Sequence, residues 1–233
     1  MLKVYKHSEL GHANHGWLNA HHHFSFANYY NPERMGFGAL RVINDDTIKA
    51  GTGFPQHGHR DMEIITFVRK GAITHKDSKG NEGRTEAGDV QVMSAGTGIL
   101  HSEYNMEDED TKIFQIWIIP KEEGIEPRWD SVAFAEREAG DTLPLLASGF
   151  EEDQNSEALY IHQDAAIYGG KVSKGQTITQ PIKNQAYLVV SSGNVSVEGA
   201  ELSEGDGLEV TDMDSVSITG TDDSVVILID VPA

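Results

Sequence analysis

The 233-residue chain contains no cysteine, which removes disulfides, thiolate metal sites, iron–sulfur clusters and cysteine nucleophiles together. Any bound metal must therefore be held by nitrogen and oxygen. Basic side chains are also scarce: 18 Lys and Arg stand against 37 Asp and Glu, a net charge of −19. No cationic surplus exists to displace counterions from phosphates, so direct nucleic-acid binding is excluded. An anionic membrane surface is excluded on the same ground. Long apolar runs are missing too; segments such as Val225-Val226-Ile227-Leu228-Ile229 fall far short of the ~18–20 residues of a membrane helix. The opening Met1-Leu2-Lys3-Val4-Tyr5-Lys6-His7 has no apolar core and no small-residue cleavage site, so no signal peptide is read and a soluble, cytoplasmic protein is expected.

What is present is unevenly distributed. Residues 1–120 carry 12 basic and 15 acidic side chains, whereas residues 121–233 carry 6 and 22. Ten of the eleven histidines lie in the first part, with only His162 in the second. The acidic half reads first as a solvated surface. At ~150 residues per domain, the length suits one large domain or two small ones.

The periodic signal is β. Short β-branched and aromatic runs occur at Ile64–Val68, Val90–Met93, Ile113–Ile119, Tyr187–Val190, Val195–Val197, Val216–Ile218 and Val225–Val231. Gly, Asn, Asp and Ser clusters punctuate them at the spacing of a sandwich or barrel. One short helix is expected within Ser131–Ala139. A weak repeat has an offset of 122: Gly53 to Gly71 matches Gly175 to Gly193, each segment ending in an apolar run and each followed by Gly-Asp, at Gly88-Asp89 and Gly205-Asp206. Two similar β-barrels are predicted, with an N-terminal domain at 1–125, a connecting segment at 126–158 and a C-terminal domain at 159–233. The offset carries His57 to Thr179, His59 to Pro181 and Glu63 to Gln185, so the second barrel is expected to be metal-free.

Two segments carry chemistry: Gln56-His57-Gly58-His59-Arg60-Asp61-Met62-Glu63 and Ile99-Leu100-His101-Ser102-Glu103. On a strand, residues i and i+2 face the same way. His57 and His59 therefore share a face, as do His101 and Glu103. Two such strands meeting in a small barrel would surround one ion with three imidazoles and a carboxylate, a donor set suited to Fe, Mn, Co, Ni, Cu or Zn and poor for Mg or Ca. Glu63 has the same parity, but four extended residues place it ~13 Å beyond His59 unless the chain turns. Geometry favours Glu103 as the fourth donor.

The run Gly51-x5-His57-x-His59-x3-Glu63-x7-Gly71 resembles the first cupin motif, with one extra residue before the final glycine. Gly88-x5-Ser94-Ala95-Gly96-Thr97-Gly98-x2-His101-x3-Asn105 resembles the second, with Ser94 where proline is usual. Through further blocks, among them Phe24–Tyr30, Leu40–Asp46, Met93–Gly98 and Gln115–Ile118, the whole chain resembles the pirin family, and closely its bacterial members described as quercetin 2,3-dioxygenases. This resemblance implies an all-β fold of two cupin (jelly-roll β-barrel) domains in tandem, an RmlC-like bicupin. It implies one divalent transition metal ion, iron foremost with Mn, Co, Ni, Cu or Zn as alternatives, held by His57, His59, His101 and Glu103. It implies a dioxygenase that opens the central ring of flavonols such as quercetin with O2 and releases CO, with Glu103 as the expected general base. The rival it also carries is a metal-binding regulatory protein acting through protein–protein contacts; a monomer is expected in either case.

Other features weigh less. His21-His22-His23 lies inside a family-like block and is not expected to ligate metal. His75 and His162 read as ordinary surface or satisfied core residues. Glu63, released from the ligand role of its motif position, is left without an assigned role, a hydrogen bond behind the ligands being the one considered. Phe37, Met93, Phe114 and Trp117 read as core, with barrel-lining aromatics able to wall a flat substrate. Gly96-x-Gly98 lacks the third glycine and following helix of a nucleotide loop, and no Gly-x-Ser-x-Gly, His-Glu-x-x-His or Walker pattern occurs.

Overall fold

The structure is a computed structural model that describes residues 1–134 and 139–233. Its described residues form twenty-two strands and two single-turn 3-10 segments. The first strand is β1 (Leu2–Tyr5). There follow β2 (Gly11–Asn14), β3 (Leu18–His22), β4 (Leu40–Ile48), β5 (Gly53–His59), β6 (Glu63–Lys70) and β7 (Ala72–Asp77). Next come β8 (Glu82–Glu86), β9 (Val90–Ser94), β10 (Ile99–Tyr104), β11 (Thr111–Ile118) and β12 (Arg128–Val132). The second half adds β13 (Leu145–Ser148), β14 (Leu159–Tyr160), β15 (Ala166–Val172), β16 (Thr177–Pro181), β17 (Gln185–Ser192) and β18 (Asn194–Val197). It closes with β19 (Ala200–Ser203), β20 (Gly207–Val210), β21 (Ser215–Gly220) and β22 (Ser224–Val231). No helix among the described residues is long and apolar enough to cross a membrane.

All seven apolar runs read from the sequence are strands, and the fold is all-β. The expected helix is not formed at its start: Ser131 and Val132 end β12, which pairs antiparallel with β9. A strand wins there because Trp129 and Val132 suit a pleated surface. The remainder of that expected helix, residues 135–138, lies outside the described residues.

Two compact units result. One comprises Gly11–Ala135 with Leu159–Gln163; the other comprises Met1–Leu10, Glu136–Ala158 and Asp164–Ala233. The strands form two seven-stranded and two four-stranded sheets, whose central strands follow a matching order. The seven-stranded sheets run β12-β9-β6-β11-β4-β3-β2 and β1-β20-β17-β22-β15-β13-β14; the four-stranded ones run β5-β10-β7-β8 and β16-β21-β18-β19. The 122-residue offset carries the first residue of β6, Glu63, onto the first of β17, Gln185. Gly71 and Gly193, which end the repeated segments, both have left-handed backbones with φ of 76°.

The barrels differ inside. In the C-terminal one, Leu188, Leu208 and Leu228 join Val195, Ile218 and other aliphatic residues of both sheets in one continuous core. In the N-terminal one, the pairings Thr66↔Gln91 and Gln115↔Thr66 occupy the equivalent positions. Along β6 the inward order is Ile64, Thr66, Val68, and along β11 it is Trp117, Gln115, Ile113, so a polar layer separates two small apolar clusters. That layer carries the site.

A Cβ on Gly71 would lie 2.5 Å from Thr111 Oγ1, and one on Gly193 would lie 2.5 Å from Ser224 Oγ. Gly71→Ala and Gly193→Ala are each expected to destabilise by ~1–3 kcal/mol through the positive φ and the crowding. Chemical denaturation of the two variants checks this, and either one matching wild type would refute the paired-turn reading.

Candidate metal centre

The sequence places His57 and His59 on β5 and His101 and Glu103 on β10, and these strands pair antiparallel with His101 opposite His57 and Ile99 opposite His59. The register shifts between His101 and Glu103, because Glu103 sits opposite Phe54. Pro55 and Gln56 on β5 thus oppose Ser102 alone. This is a bulge at a residue that has no N–H to give the ladder.

The bulge sets a ligand. The Pro55 carbonyl lies 2.7 Å from His57 Nδ1, which donates to it, so His57 Nε2 keeps its lone pair. His57 Nε2 and His101 Nε2 are 3.1 Å apart. Two imidazoles in adjacent positions around a first-row ion, each ~2.1 Å from it, would be separated by about that distance. The ring of His59 lies 4.8 Å from that of His57 and 5.0 Å from that of His101, centroid to centroid. One nitrogen from each of the three rings lies within 4.8 Å of the others.

Electrostatics favours neutral, metal-ready rings at His59 and His101. Burial, with the neighbouring His57 adding to it, lowers the His59 pKa to about 4. Burial lowers His101 to about 2, helped by His57, His59 and His75 and opposed by Asp77. A cation entering the site would have few protons to displace. The donor chemistry and the 3.1 Å nitrogen pair both fit a transition ion.

Glu103 is buried beside this cluster rather than inside it. Its carboxylate groups with His101 and His75, again with ligand atoms within 4.8 Å. Glu103 Oε1 accepts from Gln91 Nε2 at 2.6 Å and from Thr66 Oγ1 at 3.2 Å. Gln91 is itself steadied through its Oε1, which accepts from Thr85 Oγ1 at 3.0 Å. Burial pushes the Glu103 carboxyl up to about 7, against the lowering effect of its two hydrogen bonds. His101 thus belongs to both groups and links the carboxylate to the other two imidazoles.

Two expectations need correction. His75 is neither a surface residue nor a satisfied one: it is fully buried on β7 directly opposite Glu103, and its Nδ1 has no partner. The signal was present as a third strand pair, His75-x-Asp77, but only the β7–β10 pairing reveals its relevance. Glu63 does not back the ligands. The chain turns after His59, with Asp61 at φ 46° and its N–H bonded to the Gly96 carbonyl, and enters the other sheet. There Glu63 Oε2 accepts from Ser94 Oγ at 2.8 Å and from the His162 N–H at 3.2 Å. Ser94, standing where the motif has proline, is what gives Glu63 its partner. His162 is accordingly a tether rather than a bystander.

A cavity of about 310 Å³ opens beside His57 and His59. Its walls include Leu18, Ala20, Phe26, Phe54 and Trp117, with Asn44, Asp46 and Gln115 at a polar side. Trp117 meets His59 edge-on at 4.9 Å, and Phe26 meets Trp117 edge-on at 5.4 Å. Of the three consecutive histidines, His22 lines the cavity and bonds Asn44 Oδ1 through Nδ1 at 2.7 Å. Phe37, Met93 and Phe114 are buried core.

In the second barrel the residues at the equivalent ladder positions, Thr179 and Ser217, are paired across β16 and β21. They replace the His57 and His101 pair with two hydroxyls.

Comparison with known proteins agrees with this architecture. The family model described as Pirin matches residues 3–118, and that described as Quercetinase C-terminal cupin domain matches residues 145–231. A Caulobacter vibrioides protein named pirin-like is 51% identical over 95% of this chain and 96% of its own. The Escherichia coli protein named quercetin 2,3-dioxygenase is 45% identical over 100% of this chain and 99% of its own. The chain belongs to the pirin family. Among solved structures, the bacterial pirin YhhW of Escherichia coli in complex with nickel(II) has a TM-score of 0.91 at 44% identity, covering 100% of this chain and 99% of that one. A pirin with this fold thus binds a divalent transition ion, and this chain has an imidazole cluster able to hold one.

Replacing His101 with Ala removes the residue common to both donor groups, so metal content after loading and desalting is expected to fall to a small fraction of wild type. Glu63→Ala is expected to cost ~1–3 kcal/mol by removing the acceptor shared by Ser94 Oγ and the His162 N–H while leaving metal content unchanged. Elemental analysis with denaturant melts separates the two roles; metal loss in the Glu63 variant would return that carboxylate to the ligand set.

Proposed function

We propose that the chain is a metal-dependent dioxygenase that opens the central ring of flavonols such as quercetin, consuming O2 and releasing CO. The observation that carries this reading is the contact between the three-imidazole cluster and the aromatic-walled cavity. Its volume of about 310 Å³ falls at the lower end of the ~300–1,000 Å³ typical of small-molecule sites. The names of the family's members support the same reaction class.

His57, His59, His101 and Glu103 would hold the ion, which supplies positive charge to acidify a bound hydroxyl and a redox-capable centre for O2. Iron is the ion we assign first; the donors also accept Mn, Co, Ni, Cu or Zn. The rest of the task falls to this chain's side chains. Trp117, Phe26 and Phe54 hold flat rings and exclude water from the reacting carbons. His57 and His59 fix one end of the substrate at the cavity wall. Glu103, the carboxylate of the donor set, takes the proton of the flavonol 3-hydroxyl. Gln91 and Thr66 keep its Oε1 in place while it does so.

The test is reconstitution of metal-stripped protein with each of the six ions, followed by flavonol bleaching and CO detection. Turnover with at least one ion, lost in His101→Ala and strongly reduced in Glu103→Gln, is expected. Full metal occupancy with no flavonol consumed under any ion would overturn the enzyme reading and leave a metal-binding protein that acts through a partner.

A further inference from the structure

Unpartnered buried polar atoms are uncommon in folded proteins, because each forfeits its solvation for nothing. Among them are two imidazole nitrogens beside the metal centre: His75 Nδ1 and His101 Nδ1. They lie on neighbouring strands, β7 and β10, with ring centroids 5.4 Å apart.

Chemistry assigns each nitrogen a complementary role. Asp77 Oδ1 accepts from the N–H groups of Lys79 at 2.9 Å and Asn81 at 3.1 Å. Its Oδ2 accepts from Asn81 Nδ2 at 2.9 Å and lies 2.8 Å from His75 Nε2. A carboxylate receiving that many donors is anionic and can only accept, so His75 Nε2 carries a hydrogen and the neutral ring leaves a lone pair on Nδ1. His101 is the reverse. Its Nε2 lies against His57 Nε2 in the three-imidazole group and must be bare to ligate an ion. The neutral ring then carries its hydrogen on Nδ1.

Glu103, opposite His75 in the ladder, does not satisfy His75 once it helps to hold an ion: it is then a carboxylate, an acceptor with nothing to offer a lone pair. Trp129 stacks on the His75 ring at 4.9 Å with planes 9° apart, which limits how that ring can turn.

We propose that His75 is a positioning residue of the metal centre: the two nitrogens are unpartnered in this structure, and once an ion is held the Asp77-anchored His75 accepts the Nδ1 hydrogen of His101 at its own Nδ1, so that the Asp77–His75–His101 line aims His101 Nε2 at the ion. His57 has the same support from the Pro55 carbonyl, so each of these two ligands is backed by an acceptor. The inference rests on His101 as an ion ligand and is independent of the reaction the ion performs.

Two measurements test it, neither of them turnover. Long-range proton–nitrogen spectra of the Zn(II)-loaded full chain are expected to show His101 protonated at Nδ1 and His75 protonated at Nε2; His75 protonated at Nδ1 would overturn the proposal. Chelator competition with Co(II) should show His75→Leu binding about 10–100-fold more weakly, the usual cost of losing a ligand's supporting partner. His75→Asn, which offers an acceptor oxygen near the place of Nδ1, should recover most of that loss and the wild-type Co(II) absorption spectrum. A His75→Leu protein that melts like wild type without metal and binds Co(II) equally tightly refutes the role. If that variant does not fold, the wild-type spectra decide. Wild type that takes up no Co(II), or His101→Ala that takes it up normally, would instead refute the ion assignment, and this proposal with it.

Discussion

A polar layer inside a β-barrel is costly unless its groups are given directed partners, and the hydrogen bonds that supply them organise the N-terminal barrel. Thr66, Gln91 and Gln115 cross the inner face of its larger sheet where the C-terminal barrel has Leu188, Leu208 and Leu228. The leucines need only close packing. The polar residues need directed bonds, and Glu103 Oε1 receives two of them. One frame therefore yields a solid aliphatic core in one unit and a carboxylate held at a set position in the other.

The same constraint explains how the imidazoles reach a common point. β5 and β10 are adjacent in the smaller sheet, and antiparallel register puts His57 across from His101. A bulge at Pro55 re-aims the local backbone and turns a carbonyl toward His57 Nδ1. Burial then favours the neutral forms of His59 and His101, whose pKa values it lowers. Fold, tautomer and charge state are thus consequences of one local arrangement.

Much of this was legible in one dimension. Strand periodicity is two, so His57 with His59 and His101 with Glu103 declare a shared face without any knowledge of what lies opposite. The repeat was legible because tight turns at Gly71 and Gly193 need the same backbone in both barrels. Residues whose partners are distant in sequence were not legible. His75 became part of the site only when β7 was found beside β10, and Glu63 left it only when the turn at Asp61 carried the chain into the other sheet. Trp129 and Val132 belong to a strand because β9 offers an edge, which local helical spacing could not foresee.

The amino-acid sequence by itself determined the donor chemistry, since a chain without cysteine and with its histidines gathered in one half offers imidazole and carboxylate there and no thiolate. It also determined the β architecture and the two-fold repetition, because both are written in spacing along the chain. Tertiary structure alone decided which of the matching groups converge: that Glu63 pairs with Ser94, that Glu103 is steadied by Gln91, and that His75 stands behind His101 and Glu103. Those choices depend on strand order and register between segments tens of residues apart, and no local pattern encodes a distance across a sheet.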